Sequence, residues 1–134
     1  MWIRSSVPYT VFDAVWPAAT WITMLAEDFR NAIFSYATDG GWDAASTVKF
    51  QWSIQDVAPD FSAAQSVTNM WDYIEVIDLE DGAAIDGDTW IAVATADDYR
   101  LFEANINALK WISATITART AWEITLKAKL FSND

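Results

Sequence analysis

The chain has 134 residues, of which 53% are hydrophobic, and carries a formal net charge of −11 with neither histidine nor cysteine. Without imidazole or thiol groups there is no ordinary general base near neutral pH, no Ser-His or Cys-His pair, no histidine- or cysteine-ligated zinc and no disulfide. The negative charge disfavours nucleic acid as a partner, because phosphate binding needs clustered Lys and Arg. No apolar run approaches the ~20 residues that cross a bilayer, so no membrane association is predicted. We therefore expect a single domain over residues 1–134 that is not an enzyme.

Short strand-like segments recur along the N-terminal half of the chain. Residues 9–15, 20–25 and 29–38 are the first three candidates, followed by a turn at 38–41. An amphipathic helix over 26–36 is an alternative, because Phe29, Ile33 and Tyr36 also have helical spacing. Residues 46–54 give the clearest pattern, which predicts one buried and one solvated face. The predicted buried residues are Val48, Phe50, Trp52 and Ile54, and they alternate with Lys49, Gln51 and Ser53.

The strand pattern lapses in the middle of the chain and then resumes. Residues 55–70 contain Pro59 and many small polar residues, which predict a long surface loop with one helical turn near 62–65. Further strands are predicted at 71–79, 90–94 and 99–106, and residues 80–89 form an acidic loop that contains glycine.

Residues 109–131 are the most regular part of the chain and predict two amphipathic strands joined by a tight turn. Lysine at every second position favours antiparallel pairing, since parallel strands are usually buried on both faces. The predicted buried residues are Ile112, Ala114 and Ile116 in the first strand and Ile124, Leu126, Ala128 and Leu130 in the second. The predicted solvated residues are Ser113, Thr115, Thr117, Thr125, Lys127 and Lys129. With eight or nine short strands in all, the sequence predicts an all-β fold, an antiparallel two-sheet sandwich that is jelly-roll-like.

The nine tryptophans outnumber the four glycines. Trp71 and Trp111 lie within strand patterns and are the expected core members. Others occupy turn-like positions that glycine would favour, because a turn commonly requires a positive φ. Three interpretations stay open: packing or interface aromatics, stacking platforms for sugars, or glycines misrendered through a reassigned stop codon. The last applies to Trp16, Trp21, Trp42, Trp52, Trp90 and Trp122.

The acidic loop is the one constellation with possible site chemistry. Its carboxylates are Asp78, Glu80, Asp81, Asp86 and Asp88. They could surround Ca²⁺, which takes six to eight oxygen ligands, but the spacing is not that of an EF-hand. Nor does sequence adjacency indicate the facing carboxylates of a glycosidase. We therefore predict a solvated turn, with no catalytic, cofactor-binding or metal-binding residues and no cofactor.

Several segments taken in order resemble small β-sandwich virion proteins of tailed bacteriophages. The segments are 47–54, 69–74, 86–89, 105–112 and 120–125, and the similarity covers the last two thirds of the chain. This sequence has Trp52, Trp90 and Trp122 where such proteins tend to have glycine. The motifs reflect strand and turn design rather than a site.

The resemblance implies a virion structural protein, of the capsid-decorating or accessory kind, that is made in the host cytoplasm and located in the virion. Its expected partners are copies of itself and other virion proteins, in a homo-oligomer for which a trimer is favoured. The alternative function is a carbohydrate-binding module that stacks sugars on exposed tryptophans. A row of exposed tryptophans on one sheet would favour that alternative.

Overall fold

The computed structural model describes residues 5–15, 23–39, 46–93, 99–117 and 123–132. Within these ranges there are eleven strands and no helix, and consequently no helix that could span a membrane. The strands are β1 (Ser5–Val15), β2 (Met24–Leu25), β3 (Asn31–Asp39), β4 (Ser46–Ser53), β5 (Asp72–Tyr73), β6 (Val76–Asp78), β7 (Ala84–Ile85), β8 (Ile91–Val93), β9 (Tyr99–Asn105), β10 (Trp111–Thr117) and β11 (Glu123–Ser132). Neighbouring strands pair antiparallel, which confirms the predicted fold class.

The strands form two sheets with jelly-roll connectivity. Sheet A has the order β1-β11-β3-β9-β6-β7, and sheet B has the order β2-β10-β4-β5, with β8 also on β4. The first four strands alternate between sheets A and B, and so do the last three. β5 and β8 share one edge of β4, so eight strand positions make up the sandwich, as predicted. The short strands β6 and β7 extend sheet A beyond those eight positions.

β10 and β11 belong to different sheets, so the predicted hairpin over 109–131 is wrong. β10 pairs with β2 and β4, whereas β11 pairs with β1 and β3. Both strands alternate because each turns one face toward the same core from opposite sides, and a hairpin would show the same alternation. The connection 118–122, including the predicted tip at Trp122, lies outside the described residues.

Two further segments differ from the sequence predictions. The helix considered over 26–36 is wrong, because Ala32, Phe34 and Tyr36 are buried at a period of two within β3. The single strand predicted over 71–79 is divided into β5 in sheet B and β6 in sheet A. The chain passes between the sheets at Ile74, whose N–H donates to the carbonyl oxygen of Phe50 at 2.9 Å.

The core lies between the two sheets and is linked by three phenylalanines. The ring of Phe34 on β3 stacks on that of Phe50 on β4, with centroids 4.2 Å apart, and the centroid of Phe102 on β9 lies 5.9 Å from that of Phe50. Such pairs add about 0.5–1.5 kcal/mol to the effect of buried area. The predicted burial in the last two strands is confirmed for Ile112, Ala114, Ile116, Leu126, Ala128 and Leu130. Lys127 and Lys129 are exposed, as predicted, while the side chains of Thr117 and Ile124 lie outside the description.

Candidate functional site

Residues 54–71, which we call the capping loop, cover the outer face of sheet B between β4 and β5. Gln51 Nε2 donates to the carbonyl oxygen of Phe61 at 3.1 Å, and Ser53 Oγ donates to that of Met70 at 2.5 Å. The side chain of Phe61 is only 3% exposed, and its ring centroid lies 6.1 Å from that of Trp71. The predicted surface loop is therefore a layer of the structure with a buried aromatic anchor.

The polar face of β4 and β10 is buried, so the prediction that it is solvated is wrong. Lys49 is 9% exposed, and Gln51, Ser113 and Thr115 are less exposed still. Ser113 lies opposite Gln51, and Thr115 lies opposite Lys49. Within the described part of the chain, Gln51 Oε1, Ser113 Oγ and Thr115 Oγ1 have no hydrogen-bond partner. A buried polar atom without a partner costs about 1–3 kcal/mol, which the apolar contacts of the capping loop must offset.

Side-chain hydrogen bonds fix the shape of the capping loop. Asn69 Oδ1 accepts from the N–H of Asp60 at 2.7 Å, and Asn69 Nδ2 donates to the carbonyl oxygens of Asp60 and Ala64 at 2.9 and 3.1 Å. The carboxylate of Asp60 accepts from the hydroxyl and the N–H of Ser62, which lowers the pKa of Asp60. Two hydrogen-bonded turns occur, from Ala63 to Asp60, slightly before the predicted helical turn at 62–65, and from Asn69 to Ser66. The loop is thus ordered by polar contacts although it contains no regular strand or helix.

A pocket of about 500 Å³ opens at the β5 edge of sheet B. It is lined by Trp52, Ile54, Gln65, Ser66, Val67, Met70, Trp71 and Asp72. Ile54 was predicted to be buried but is exposed here, because β4 ends at Ser53 and the chain leaves the sheet. Val67 and Met70 are also exposed, so the pocket opens into an apolar surface.

The polar groups around this pocket are already bonded within the chain. Trp52 Nε1 donates to the carbonyl oxygen of Tyr73 at 3.2 Å, and Trp71 Nε1 donates to that of Ala63 at 3.1 Å. Gln65 Nε2 donates to the carbonyl oxygen of Trp71 at 2.7 Å. The pocket therefore offers mainly apolar surface to a ligand, which suits an apolar side chain better than a sugar.

Lys49 projects from β4 between two aromatic rings. Its Nζ lies 4.3 Å from the ring centroid of Tyr73 and 4.4 Å from that of Trp90, which is 39% exposed. These are cation–π distances. Burial, together with the carboxylates of Asp88 and Asp72, raises the pKa of Tyr73. The cluster connects the capped face of sheet B to the end of the acidic loop.

Four carboxylates of the acidic loop interact with Arg100 of β9 or with N–H groups of their own turns. Asp78, which is buried, pairs with Arg100, and Arg100 Nε lies 3.7 Å from Glu80 Oε2. Asp81 accepts the N–H of Ala83, and Asp86 accepts the N–H of Asp88. In the described ranges no three of the carboxylates converge as a metal site would require. That the loop has no metal-binding residues stays a prediction, which a calcium titration tests.

Backbone contact holds the acidic loop against β5. A Cβ placed on Gly87 would lie 2.7 Å from the carbonyl carbon of Tyr73, closer than side chains tolerate. Gly82 has a φ of +75°, a conformation that glycine adopts without strain. These two glycines fold the loop tightly and bring Asp88 beside Tyr73.

A second apolar surface lies on the outer face of sheet A. It consists of Ile77 and Leu79, at and just beyond β6, with Tyr99 and Leu101 on β9, and all four are exposed. Leu79 N–H donates to the carbonyl oxygen of Leu101 at 3.0 Å, so the two segments lie side by side. We call this set the sheet A patch. Within the patch, Ile77 lies opposite Glu103 of β9, and the exposed Lys127 and Lys129 lie on β11, beyond β3.

The four described tryptophans lie at the margins of the sandwich. Trp71 and Trp111 are half-buried, so the prediction that they are core members is wrong. Trp111 alternates with the buried Ile112 and therefore takes the outer face, where its Nε1 donates to the carbonyl oxygen of Gln55 at 2.8 Å. Among the described non-glycine residues, a positive φ occurs at Ala108 alone, so the backbone at Trp52 and Trp90 does not require glycine. Trp16, Trp21, Trp42 and Trp122 lie outside the described residues.

Comparison with known proteins gives structural likenesses only. No protein-family model and no curated protein sequence matches the chain. The fold is similar to that of the SPBc2 prophage-derived protein YomS, with a TM-score of 0.64 and 13% identity over 97% of this chain and 96% of that one. It is also similar to the PBSX exported protein XepA, with a TM-score of 0.60 and 14% identity over 96% of this chain. That match spans 38% of XepA, so this chain corresponds to one part of the larger protein.

Proposed function

We propose that this protein is a bacteriophage virion structural protein, a capsid-associated decoration or accessory subunit that acts by assembling with copies of itself and other virion proteins. The observation that carries the proposal is the apolar pocket at the β5 edge of sheet B. Its indole and amide donors are bonded within the chain, so burial of another protein's apolar side chains is the interaction left to it. Such burial contributes about 25 cal/mol per Å² before association costs are subtracted.

The proposal that this protein belongs to a phage rests on the similarity of its fold to those of YomS and XepA. YomS is described as prophage-derived, and it resembles this chain over nearly the full length of both. XepA is described as an exported protein of PBSX. The similar fold supports a phage-related role, and the resemblance of the strand segments to virion proteins supports a place in the particle.

A passive structural role also agrees with the side chains available. The chain has no histidine and no cysteine, and the pairing of Asp78 with Arg100 places the buried carboxylate in a structural ion pair. We therefore propose that the protein is not an enzyme and needs no cofactor.

The carbohydrate-binding alternative has less geometric support. Of the four described tryptophans only Trp90 is exposed, and the Lys49 ammonium lies against its ring. A sugar platform needs an open aromatic face with free hydrogen-bonding groups beside it. Glycan binding that is lost in Trp90→Ala would favour this alternative over assembly.

The experiment is to purify phage particles from a lysogen that carries this gene and to quantify the protein in them by mass spectrometry. We expect a fixed copy number per particle, and we expect purified protein added to particles from a deletion strain to bind them saturably. The test variant is Met70→Asp, which places a charge in the apolar pocket and should reduce that binding. Absence from washed particles, together with no binding to the deletion particles, would contradict the proposal.

A further inference from the structure

The capping loop has few bonds to the sheet that it covers. Among the described residues, no backbone–backbone hydrogen bond joins the loop to a strand of sheet B. The connections come from side chains of the sheet, which donate to carbonyl oxygens of the loop: Gln51 to Phe61, Ser53 to Met70 and Trp111 to Gln55. The two ends of the loop lie close together, because Trp52 and Asp72, just outside them, are opposite each other on β4 and β5. The loop can therefore lift without breaking the pairing of any strand.

The layer beneath the loop is polar, in contrast to the core between the sheets. Ser113 is fully buried opposite Gln51, and Ser113 Oγ, Gln51 Oε1 and Thr115 Oγ1 on the same face have no hydrogen-bond partner in the part of the chain that is described. Lifting the loop would let water bond to such atoms, whereas separating the two sheets would expose apolar side chains. Of residues 54–71, all of which are described, only Pro59 and Phe61 are buried. Little apolar burial therefore opposes the opening of the loop.

Bonds within the loop hold it together as one unit. Asn69 bonds to Asp60 and Ala64, and Trp71 Nε1 donates to the carbonyl oxygen of Ala63. None of these bonds involves sheet B, so they persist when the loop lifts. Opening then breaks the contacts with the sheet and leaves the loop itself ordered.

We propose that the capping loop is a lid that opens as a unit about its two adjacent ends while the two-sheet sandwich stays folded. Local opening of this kind is expected where buried apolar contacts are few. Six of the eight residues that line the pocket at the β5 edge belong to the loop, so the pocket exists only when the lid is closed. A partner that fills the pocket consequently shifts the lid toward the closed state. This last consequence rests on the function proposed above, whereas the opening itself does not.

Thiol labelling tests the opening, because the chain has no cysteine and an introduced one is the only thiol. Ser113→Cys places a thiol beneath the lid, and Ala114→Cys, on the same strand, places one in the core between the sheets. Both positions are 0% exposed. Ser35→Cys, at an exposed position on β3, gives the reaction rate of an accessible thiol. The reagent is 5,5′-dithiobis(2-nitrobenzoate), which the thiolate attacks with release of one thionitrobenzoate.

The reaction rate of each variant is compared with the rate that global unfolding of the same variant allows, as measured by urea denaturation. We expect the Ser113→Cys thiol to react at least about a hundredfold faster than that limit, with little dependence on urea, and more slowly than the Ser35→Cys thiol. The Ala114→Cys thiol should react at its limit. If the Ser113→Cys thiol also reacts at its limit, with the full dependence on urea, the lid does not open separately and the proposal is overturned. A rate equal to that of Ser35→Cys would show that the loop does not cover Ser113, which also overturns it.

The unpaired hydroxyl of Ser113 gives a second test. Ser113→Ala removes a polar atom that has no partner while the lid is closed, so it should raise the folding equilibrium constant by about fivefold or more. The matched control Ser35→Ala removes an exposed hydroxyl and should change that constant little. A lower constant in Ser113→Ala would show that the hydroxyl is satisfied when the lid is closed, and it would count against the polar layer as the cause of opening.

Particle binding separates the lid from the proposed function. In protein bound to the deletion particles, the Ser113→Cys thiol should react at least about tenfold more slowly than in free protein, because a filled pocket holds the lid closed. An unchanged rate in bound protein would contradict the link between lid and pocket. Fast labelling of free protein that does not bind particles would remove only the virion role, and labelling at the global limit in protein that does bind would remove only the lid.

Discussion

Replacing Phe61 with alanine tests whether the capping loop holds the outer face of sheet B closed. Phe61 is buried against Trp71 and sits over a polar layer that includes the unpaired Gln51 Oε1. Phenylalanine-to-alanine changes at packed sites cost about 3–5 kcal/mol. A loop can relax around the lost ring more than a strand can, so we expect a loss near the lower limit, about 3 kcal/mol. Between about 0.5 and 1.5 kcal/mol of that should be the ring pair with Trp71.

Urea denaturation followed by far-UV circular dichroism measures the free energy of unfolding without relying on the many tryptophans. Val67→Ala is the control, because Val67 lies in the same loop but is exposed, and it should change stability by less than about 0.5 kcal/mol. A double-mutant cycle of Phe61→Ala with Trp71→Ala should return the ring-pair energy as the coupling. If Phe61→Ala costs less than about 1 kcal/mol with an unchanged denaturant slope, Phe61 is not an anchor and the reasoning fails.

Three other predictions concern the core, the alkaline limit and the acidic loop. Leu126→Ala should cost about 2–5 kcal/mol in the same assay while Lys127→Ala changes little, and equal effects would show that the register of β11 is wrong. The raised pKa of Tyr73 means that the unfolded chain loses this proton first, so the stability it contributes is complete below about pH 10 and is lost as pH rises through the folded-state pKa. Tyr73→Phe should therefore flatten the alkaline decline of the urea midpoint, and an unchanged decline would exclude Tyr73 as its source. For the acidic loop, neither calcium nor a chelator should move the melting temperature, whereas a rise with calcium would make its five carboxylates ligand candidates.

The fold class could be predicted from local alternation, since each long strand has one face in the core. β3, β4, β10 and β11 are all found near their predicted positions for that reason. Pairing could not be predicted in the same way, because alternation states which face is buried but not which strand lies alongside. The supposed hairpin of β10 and β11 is the clearest example, since two strands facing one core from opposite sheets have the same pattern.

Most of the candidate site could not be predicted from the sequence. Residues 55–70 lack a period, so their spacing does not indicate that Phe61 is buried over sheet B. The sequence predicts that Lys49 and Gln51 are solvated, because the polar side of an amphipathic strand usually faces water. Only an unexplained aromatic in a polar segment, Phe61, hinted at a covering layer. The pocket depends on Trp52 and Trp71 meeting at a sheet edge, which is a tertiary contact that spacing cannot reveal.

The position of β11 between β1 and β3 has a consequence for synthesis of the protein. Ser5 lies opposite Ser132, so β1, the first strand of sheet A to be synthesised, can pair with β11 only after β11 has been made. Until residues 123–132 leave the ribosome, β1 and the adjacent edge of β3 present unpaired backbone groups to any neighbouring chain. Pairings between such distant residues also form slowly. Release of the nascent chain before residues 123–132 are made would consequently yield a product prone to misassociation.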